Sequence, residues 1–146
     1  MRISIISDDL TGASDSGGQL VRYGLKSSVI MQYKPNDLNS KDVVIFNTDS
    51  RSLTPEEAYS RVKTVCQKIK KYDFDVIYKK IDSTMRGNLG YEINAVYDVF
   101  QPDFIIIAPA HPEKGRTVKE GIHYLNGIEL HETEVASDPK TPVRDP

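Results

Sequence analysis

The sequence has little of what marks several large classes of protein. A single cysteine, Cys66, excludes an internal disulfide, and its helical spacing from Ala58, Val62 and Ile69 indicates a buried structural residue. The formal net charge of −2 provides no basic surface for nucleic acid. No apolar run approaches the roughly 18 residues of a membrane span, and the short run after Arg2 is not a signal peptide. We therefore expect a cytoplasmic protein that binds neither nucleic acid nor membranes.

Sequence patterns for common cofactors are also missing. There is no G-x-x-x-x-G-K-[ST] loop, because the glycines at 12, 17 and 18 lack the lysine and hydroxyl that hold nucleotide phosphates. No dinucleotide fingerprint follows the first apolar run. His111, His123 and His131 do not have metal-binding spacings to one another or to Cys66. We therefore expect this chain alone to bind neither a nucleotide nor a metal ion.

What the sequence does contain is an alternation of strands and helices, and 146 residues suit one domain with a buried core. This alternation predicts an α/β fold with a doubly wound, mostly parallel sheet flanked by helices. Asn126-Gly127 between two short apolar runs predicts a C-terminal β-hairpin. The predicted strands are 2–7, 27–32, 43–47, 75–79 and 103–107, the predicted helices are 11–23, 55–71 and 89–100, and a turn-rich segment covers 34–41.

Residues 79–88 form the densest polar segment and directly follow a predicted strand. Lys80 and Asp82 lie on the same side if the strand continues, so a cation and a hydroxyl acceptor face one cleft. Ser83 can donate or accept hydrogen bonds, and the guanidinium of Arg86 suits two-point contact with a carboxylate or phosphate. This pattern indicates a site for a small, anionic, hydroxyl-rich ligand. Asn88 could cap the helix that follows. A solvated loop with one salt bridge and this helix cap remains an alternative.

Other polar groups follow the remaining predicted strands. Asp8 and Asp9 come after the first strand, where one of them, or Thr11, can cap the following helix. Arg51 follows the third strand and Arg116 the fifth. Because ligands of parallel α/β sheets bind beyond the carboxyl ends of the strands, we expect these loops to form one site.

Five segments carry a resemblance to a known family. The chain resembles the sugar-binding N-terminal domain of the four-carbon acid sugar kinases over nearly its whole length. That resemblance implies ATP-dependent phosphorylation of acids such as threonate or erythronate. It also implies a C-terminal nucleotide-binding domain, in cis or as a separate chain, and ATP with Mg²⁺ in the complete enzyme. The segments are D-D-L-T-G-A at 8–13, D-S-R at 49–51, K-K-I-D-S-T-M-R-G-N at 79–88, A-P-A-H-P-E-K-G-R-T at 108–117, and G-I-H-Y-L-N-G-I-E-L at 121–130 followed by E-T-E-V-A-S-D-P-K-T-P-V.

The resemblance suggests a role for each candidate residue. Asp8 or Asp9 is expected to orient or deprotonate the attacking hydroxyl. The sequence does not decide which of the two has this role. Residues 1–137 are expected to form the sugar-binding domain, and 138–146 a linker or edge extension. The substrate-binding candidates are Thr11, Arg51, Lys80, Asp82, Ser83, Arg86 and Arg116.

Two other functions remain open from the sequence. The chain could be a stand-alone sugar-acid binding or assembly module without catalysis. The residues that suit a sugar acid are present in the sequence, whereas a motif that binds nucleotide phosphates is not. A weaker alternative is a Mg²⁺-dependent phosphatase that uses Asp8 and Asp9. A homodimer is also left open. His111 stands where the family more often has an aromatic residue, which argues against a catalytic role for it.

Overall fold

A four-stranded parallel sheet forms the centre of the molecule. The computed structural model describes residues 1–32 and 41–144. The strands lie in the order β2-β3-β1-β4, so that β1 has a parallel neighbour on each side. Their bounds are β1 Ile3–Ser7, β2 Ser27–Ile30, β3 Val43–Asn47 and β4 Val76–Lys80, and the helices are α1 Leu10–Arg22, α2 Pro55–Ile69 and α3 Leu89–Phe100.

Helices cover both faces of the sheet, because alternate residues of a strand point to opposite sides. Ile5 and Ile45 pack with Ala13 of α1 on one face, whereas Ile6 and Phe46 pack on the other. There α2 and α3 supply the buried side chains Val62, Cys66, Ile69, Ala95 and Val99. The predicted doubly wound α/β fold and the structural role of Cys66 are confirmed. Burial raises the pKa of the Cys66 thiol to about 12, so it stays protonated at neutral pH.

Local sequence signals start the first two helices. Asp9 is the N-cap of α1, and its Oδ1 accepts a hydrogen bond from the backbone N–H of Gly12 at 2.8 Å. Thr54 and Glu57 form a capping box at the start of α2, with Pro55 in its first turn. Each helix in the described ranges is too short or too polar to cross a membrane.

The chain after residue 110 folds into a small antiparallel sheet. The predicted hairpin is confirmed, and Asn126 and Gly127 both have positive φ, at 53° and 84°, as its tight turn requires. An additional strand pairs with the hairpin, so the sheet has three strands: β5 Arg116–Lys119, β6 Ile122–Leu125 and β7 Ile128–Glu129.

Two predictions about strands are wrong. Residues 103–107 form no strand, because no described residue donates or accepts their backbone hydrogen bonds. The second strand ends at Ile30 rather than at residue 32. The turn-rich segment predicted at 34–41 lies, except for Lys41, outside the described residues, as do residues 145–146 of the predicted linker.

Candidate functional site

The carboxyl ends of three adjacent strands place the predicted polar loops side by side. Ser7, the last residue of β1, lies opposite Asn47 of β3 and Lys80 of β4. The loops that begin after these residues therefore leave the sheet at one edge. This geometry brings together most of the sequence-predicted site residues.

Arg51 joins the two adjacent carboxylates that follow β1. Its Nε and Nη2 donate to Asp8 at 2.6 and 3.1 Å, and its Nη1 lies 2.8 Å from Asp9 Oδ2. Both carboxylates can face one guanidinium because β1 ends at Ser7 and the alternation of side chains ends with it. Burial alone would lower the pKa of Arg51, but the hydrogen bonds that it donates to Asp8 and the charges of the nearby carboxylates outweigh burial and raise that pKa.

A second ion-pair cluster lies in the loop after β4. Arg86 Nε donates to Asp82 Oδ2 at 2.7 Å, and its Nη1 donates to Asp138 at 3.2 Å. Thr84 also donates to Asp82, at 2.6 Å. Burial acts to raise the pKa of Asp82, but the hydrogen bonds from Arg86 and Thr84 lower it to about 2. The backbone N–H groups of Thr141 and Lys140, with Arg86, hold the pKa of Asp138 at about 2 as well.

Hydrogen bonds from the side chain of Asn88 to backbone carbonyls link the two clusters. Asn88 Nδ2 donates to the carbonyls of Ser50, Arg51 and Leu53 at 3.0 to 3.3 Å. The prediction that Asn88 caps α3 with its side chain is therefore wrong, although it occupies the N-cap position. Gly87 has φ of +98°, and a Cβ there would lie 3.0 Å from Arg51 Cγ. A polar cleft of about 290 Å³ opens beside them, between Arg51 and residues 140–144.

A buried ion pair that sequence reasoning missed lies beneath the site. Glu92, 1% exposed, accepts a hydrogen bond from Ser50 Oγ at 2.6 Å, and its Oε2 lies 2.7 Å from Lys79 Nζ. Oε2 accepts no hydrogen bond from the described residues, so its contact with Lys79 is an ion pair without a hydrogen bond. Ser50 in turn lies 2.7 Å from Thr48 Oγ1. A signal was present, because Glu92 shares the buried face of α3 with Ala95 and Val99 at helical spacing.

Two predicted cations have no carboxylate partner among the described residues. Lys80 Nζ donates to the Ile81 carbonyl at 2.5 Å, and its side chain passes beside Gly12 at the start of α1. Arg116 donates to the Lys114 carbonyl at 3.1 Å, while its buried Nε has no hydrogen-bond partner in 1–32 or 41–144.

The remaining predicted residues make fewer contacts. Thr11 is exposed in the first turn of α1, and Ser83 is half-buried in the loop after β4. His123, which was not predicted as a site residue, is buried near Asp82, Ser83 and Arg116. Burial and the charge of Arg116 lower its pKa, against the opposing charge of Asp82. Its Nε2 is buried without a hydrogen-bond partner in the described part of the chain.

The described residues provide no cluster of side chains that fits a resident metal ion. Within 1–32 and 41–144, no three His, Cys, Asp or Glu side chains form a group that could hold a metal. Asp8 and Asp9, the candidates for a Mg²⁺-dependent phosphatase, direct oxygens to Arg51 instead. A free magnesium site at these carboxylates would require Arg51 to move away.

The ionised form of Asp82 is expected to stabilise the fold. Because its folded-state pKa of about 2 lies below the ordinary value of 3.8, this contribution is complete above about pH 4 and is lost as the pH falls through about 2. The difference in unfolding free energy between the wild type and Asp82→Asn should therefore shrink between pH 5 and pH 2, measured by urea unfolding. Asp15→Asn, an exposed carboxylate on α1, is the control. A difference that is constant over this range would contradict the assignment.

Comparison with known proteins places the chain in a family. The family model described as "Sugar-binding N-terminal domain" matches residues 3–146. A D-threonate kinase of Salmonella typhimurium is 40% identical over 98% of this chain and 34% of its own length. A D-erythronate kinase of Heliobacterium modesticaldum is 43% identical over 97% of this chain and 33% of its own length. The chain thus spans about a third of the length of these relatives.

A solved structure shares the same fold. It is a domain of unknown function from Bordetella bronchiseptica, a domain-swapped dimer with bound citrate. The two structures align with a TM-score of 0.92 and 33% sequence identity. The alignment covers 99% of this chain and 38% of the Bordetella chain. The chain therefore belongs to the family of sugar-binding N-terminal domains found in kinases of four-carbon acid sugars.

Proposed function

We propose that this chain is the acceptor-binding part of an ATP-dependent kinase and that it binds a four-carbon sugar acid such as threonate or erythronate. The observation that carries the proposal is the convergence of Asp8, Asp9, Arg51, Asp82 and Arg86 at the carboxyl edge of the sheet. The named activities of the relatives support the same substrate class. Because the chain spans a third of those relatives, the nucleotide is expected to bind elsewhere, to a further domain or a separate chain.

The ligand's two kinds of polar group suit different side chains. Its carboxylate needs a cation that is not already neutralised, and Lys80 meets this condition better than Arg51 or Arg86, each of which is paired with two carboxylates. Its hydroxyls need acceptors, and Asp82 stays ionised with its pKa near 2. Ser83 and Thr11 add hydroxyl groups at the same edge.

Asp9 is the better choice for the carboxylate that accepts the proton of the attacking hydroxyl. The side chain of Asp8 is 3% exposed and is covered by Arg51, whereas that of Asp9 is 24% exposed. Asp8 then acts as a positioning residue that holds Arg51, and Arg51 holds Asp9. ATP supplies the phosphoryl group, while these residues orient the acceptor and take up its proton.

Calorimetric titration of the chain with D-threonate and D-erythronate tests the proposal. We expect binding of at least one acid, weakened about 10- to 100-fold in Lys80→Met because one charge-assisted contact is lost. Lys71→Met, on an exposed lysine after α2, should leave the affinity unchanged. Threitol and erythritol, which lack the carboxylate, should not respond to Lys80→Met.

Two outcomes would contradict the proposal. If neither acid binds at millimolar concentration, the proposed acceptor-binding role is wrong. Equal binding of acid and polyol would remove the role of Lys80. A parallel ADP-release assay with ATP and the bound acid separates the remaining functions, because turnover by this chain alone would show that no further nucleotide-binding part is needed.

A further inference from the structure

The segment that follows α3 is apolar, and its backbone has no hydrogen-bonded neighbour among the described residues. Phe104 and Ile106 are 75% and 80% exposed, and Ile105 and Ile107 are also exposed. No backbone hydrogen bond joins residues 103–108 to any described residue. Four consecutive large apolar side chains are costly to expose to water, and the unpaired N–H and C=O groups beside them form a ready template for strand pairing.

The outer edge of β4 faces this segment. Among the described strands, β4 pairs only with β1, so its other edge has no neighbour. Its side chains Val76 and Tyr78 are exposed, although both belong to an apolar run typical of a strand inside a parallel sheet. Lys79 and Lys80 place charge only at the carboxyl end of β4, so the stretch from Val76 to Tyr78 has neither charge nor proline to protect the edge.

An apolar cleft separates the two unpaired edges. Its volume is about 540 Å³, with Ile77 and Tyr78 on the β4 side and Phe104 and Ile106 on the other. Val96 and Phe100 of α3 line it as well, and Ile77 packs against the main core. The floor of the cleft is thus continuous with the core that α2 and α3 already cover.

The apolar side chains and the unpaired backbone groups around the cleft indicate what kind of molecule or segment can fill it. A small apolar molecule could cover the side chains but could not satisfy the backbone groups on both sides. An extended apolar strand satisfies both, because neighbouring strands hydrogen-bond at a spacing of about 4.8 Å. The relatives have about two thirds of their length outside the matched region, which is a source of such a strand.

We propose that the cleft between β4 and residues 103–108 receives a β-strand from the part of the kinase that the longer relatives have outside the matched third. This strand pairs with β4 on one side and with residues 103–108 on the other. Residues 103–108 then become a strand of the same sheet, two positions from β4. The proposal assumes, with the proposed function, that this chain works together with such a further part.

A hybrid protein tests the proposal. This chain replaces the matched third of the Salmonella D-threonate kinase, and hydrogen exchange is measured in the hybrid and in the 146-residue chain. Amides of 76–80 and 103–108 should exchange at least about 100-fold more slowly in the hybrid, since pairing removes local opening. Amides of β3, which is paired on both sides in either protein, serve as the internal reference.

One substitution gives an independent readout. Ile106→Lys should leave the melting temperature of the short chain unchanged, because Ile106 is exposed there, but should lower that of the hybrid by at least about 4 °C. Val118→Lys, at an exposed apolar position of β5, is the control and should be neutral in both proteins.

The contrary results are distinct. Equal exchange in the two proteins, or an equal response to Ile106→Lys, would overturn the proposal. Protection in the short chain that increases with its own concentration would assign the cleft to a second copy and would overturn it too. Sugar-acid binding by the short chain does not enter these measurements, so they can fail without contradicting the proposed function.

Discussion

Replacing Glu92 with glutamine is expected to lower the free energy of unfolding by about 3–5 kcal/mol, the usual cost of removing one partner of a buried ion pair. The substitution keeps the shape of the side chain but removes the charge that faces Lys79, whose side chain is 9% exposed. Urea unfolding at pH 7, followed by circular dichroism, measures the change. The loss should extend to the site, because Glu92 also holds Ser50 next to Arg51.

Two further variants separate the charge effect from packing. Lys79→Met combined with Glu92→Leu removes both charges and should recover most of the lost stability, because no buried charge is left unpaired. Lys63→Met breaks an exposed ion pair with Asp98, at 3.9 Å, and should cost less than about 1 kcal/mol. A cost for Glu92→Gln as small as that for Lys63→Met would show that the buried pair contributes little.

Replacing Arg51 with methionine is expected to cost about 2–4 kcal/mol and to abolish sugar-acid binding. The change removes three contacts with Asp8 and Asp9 and leaves the buried carboxylate of Asp8 without its cation. The two adjacent negative charges would then repel each other, and the loop after β3 would lose its tie to the loop after β1. Urea unfolding and calorimetric titration with threonate measure the two effects separately.

Arg61 provides the matched control for Arg51. Its Nη1 donates to the carbonyls of Thr48 and Asp49 in the same loop, but it contacts no carboxylate there. Arg61→Met should therefore cost about 1 kcal/mol and leave binding intact. Arg51→Lys should recover stability only in part, since a point charge cannot bridge two carboxylates as a guanidinium does. Full binding in Arg51→Met would contradict the proposed place of the ligand.

Much of the fold could be predicted because its causes are local. The four strands of the parallel sheet and all three long helices lie within a few residues of their predicted bounds. Alternating apolar residues such as Ile5 and Ile6 decide which face each helix covers, and this alternation is visible in the sequence. Helix starts at Asp9 and Thr54 depend on side chains within three residues of the cap.

The predictions that failed depend on partners distant in the sequence. Residues 103–107 have the composition of a strand, but a strand also needs a hydrogen-bonded neighbour, and none is present among the described residues. Asn88 is a good cap by residue type, yet three carbonyls from the loop after β3 accept its hydrogen bonds instead. In both cases, interactions with residues distant in the sequence, or their absence, outweigh the local preference of the segment.

The candidate site combines both kinds of information. The sequence by itself determined that polar loops follow parallel strands and hence meet at one edge, because strand direction and ligand position are linked in such sheets. Only the tertiary structure decided that Arg51 pairs with the carboxylate of Asp8, 43 positions away, that Arg86 reaches Asp138, and that Lys80 keeps its charge free of any described carboxylate. The reason is physical: an ion pair depends on a few ångströms in space, and no spacing along the chain specifies that distance.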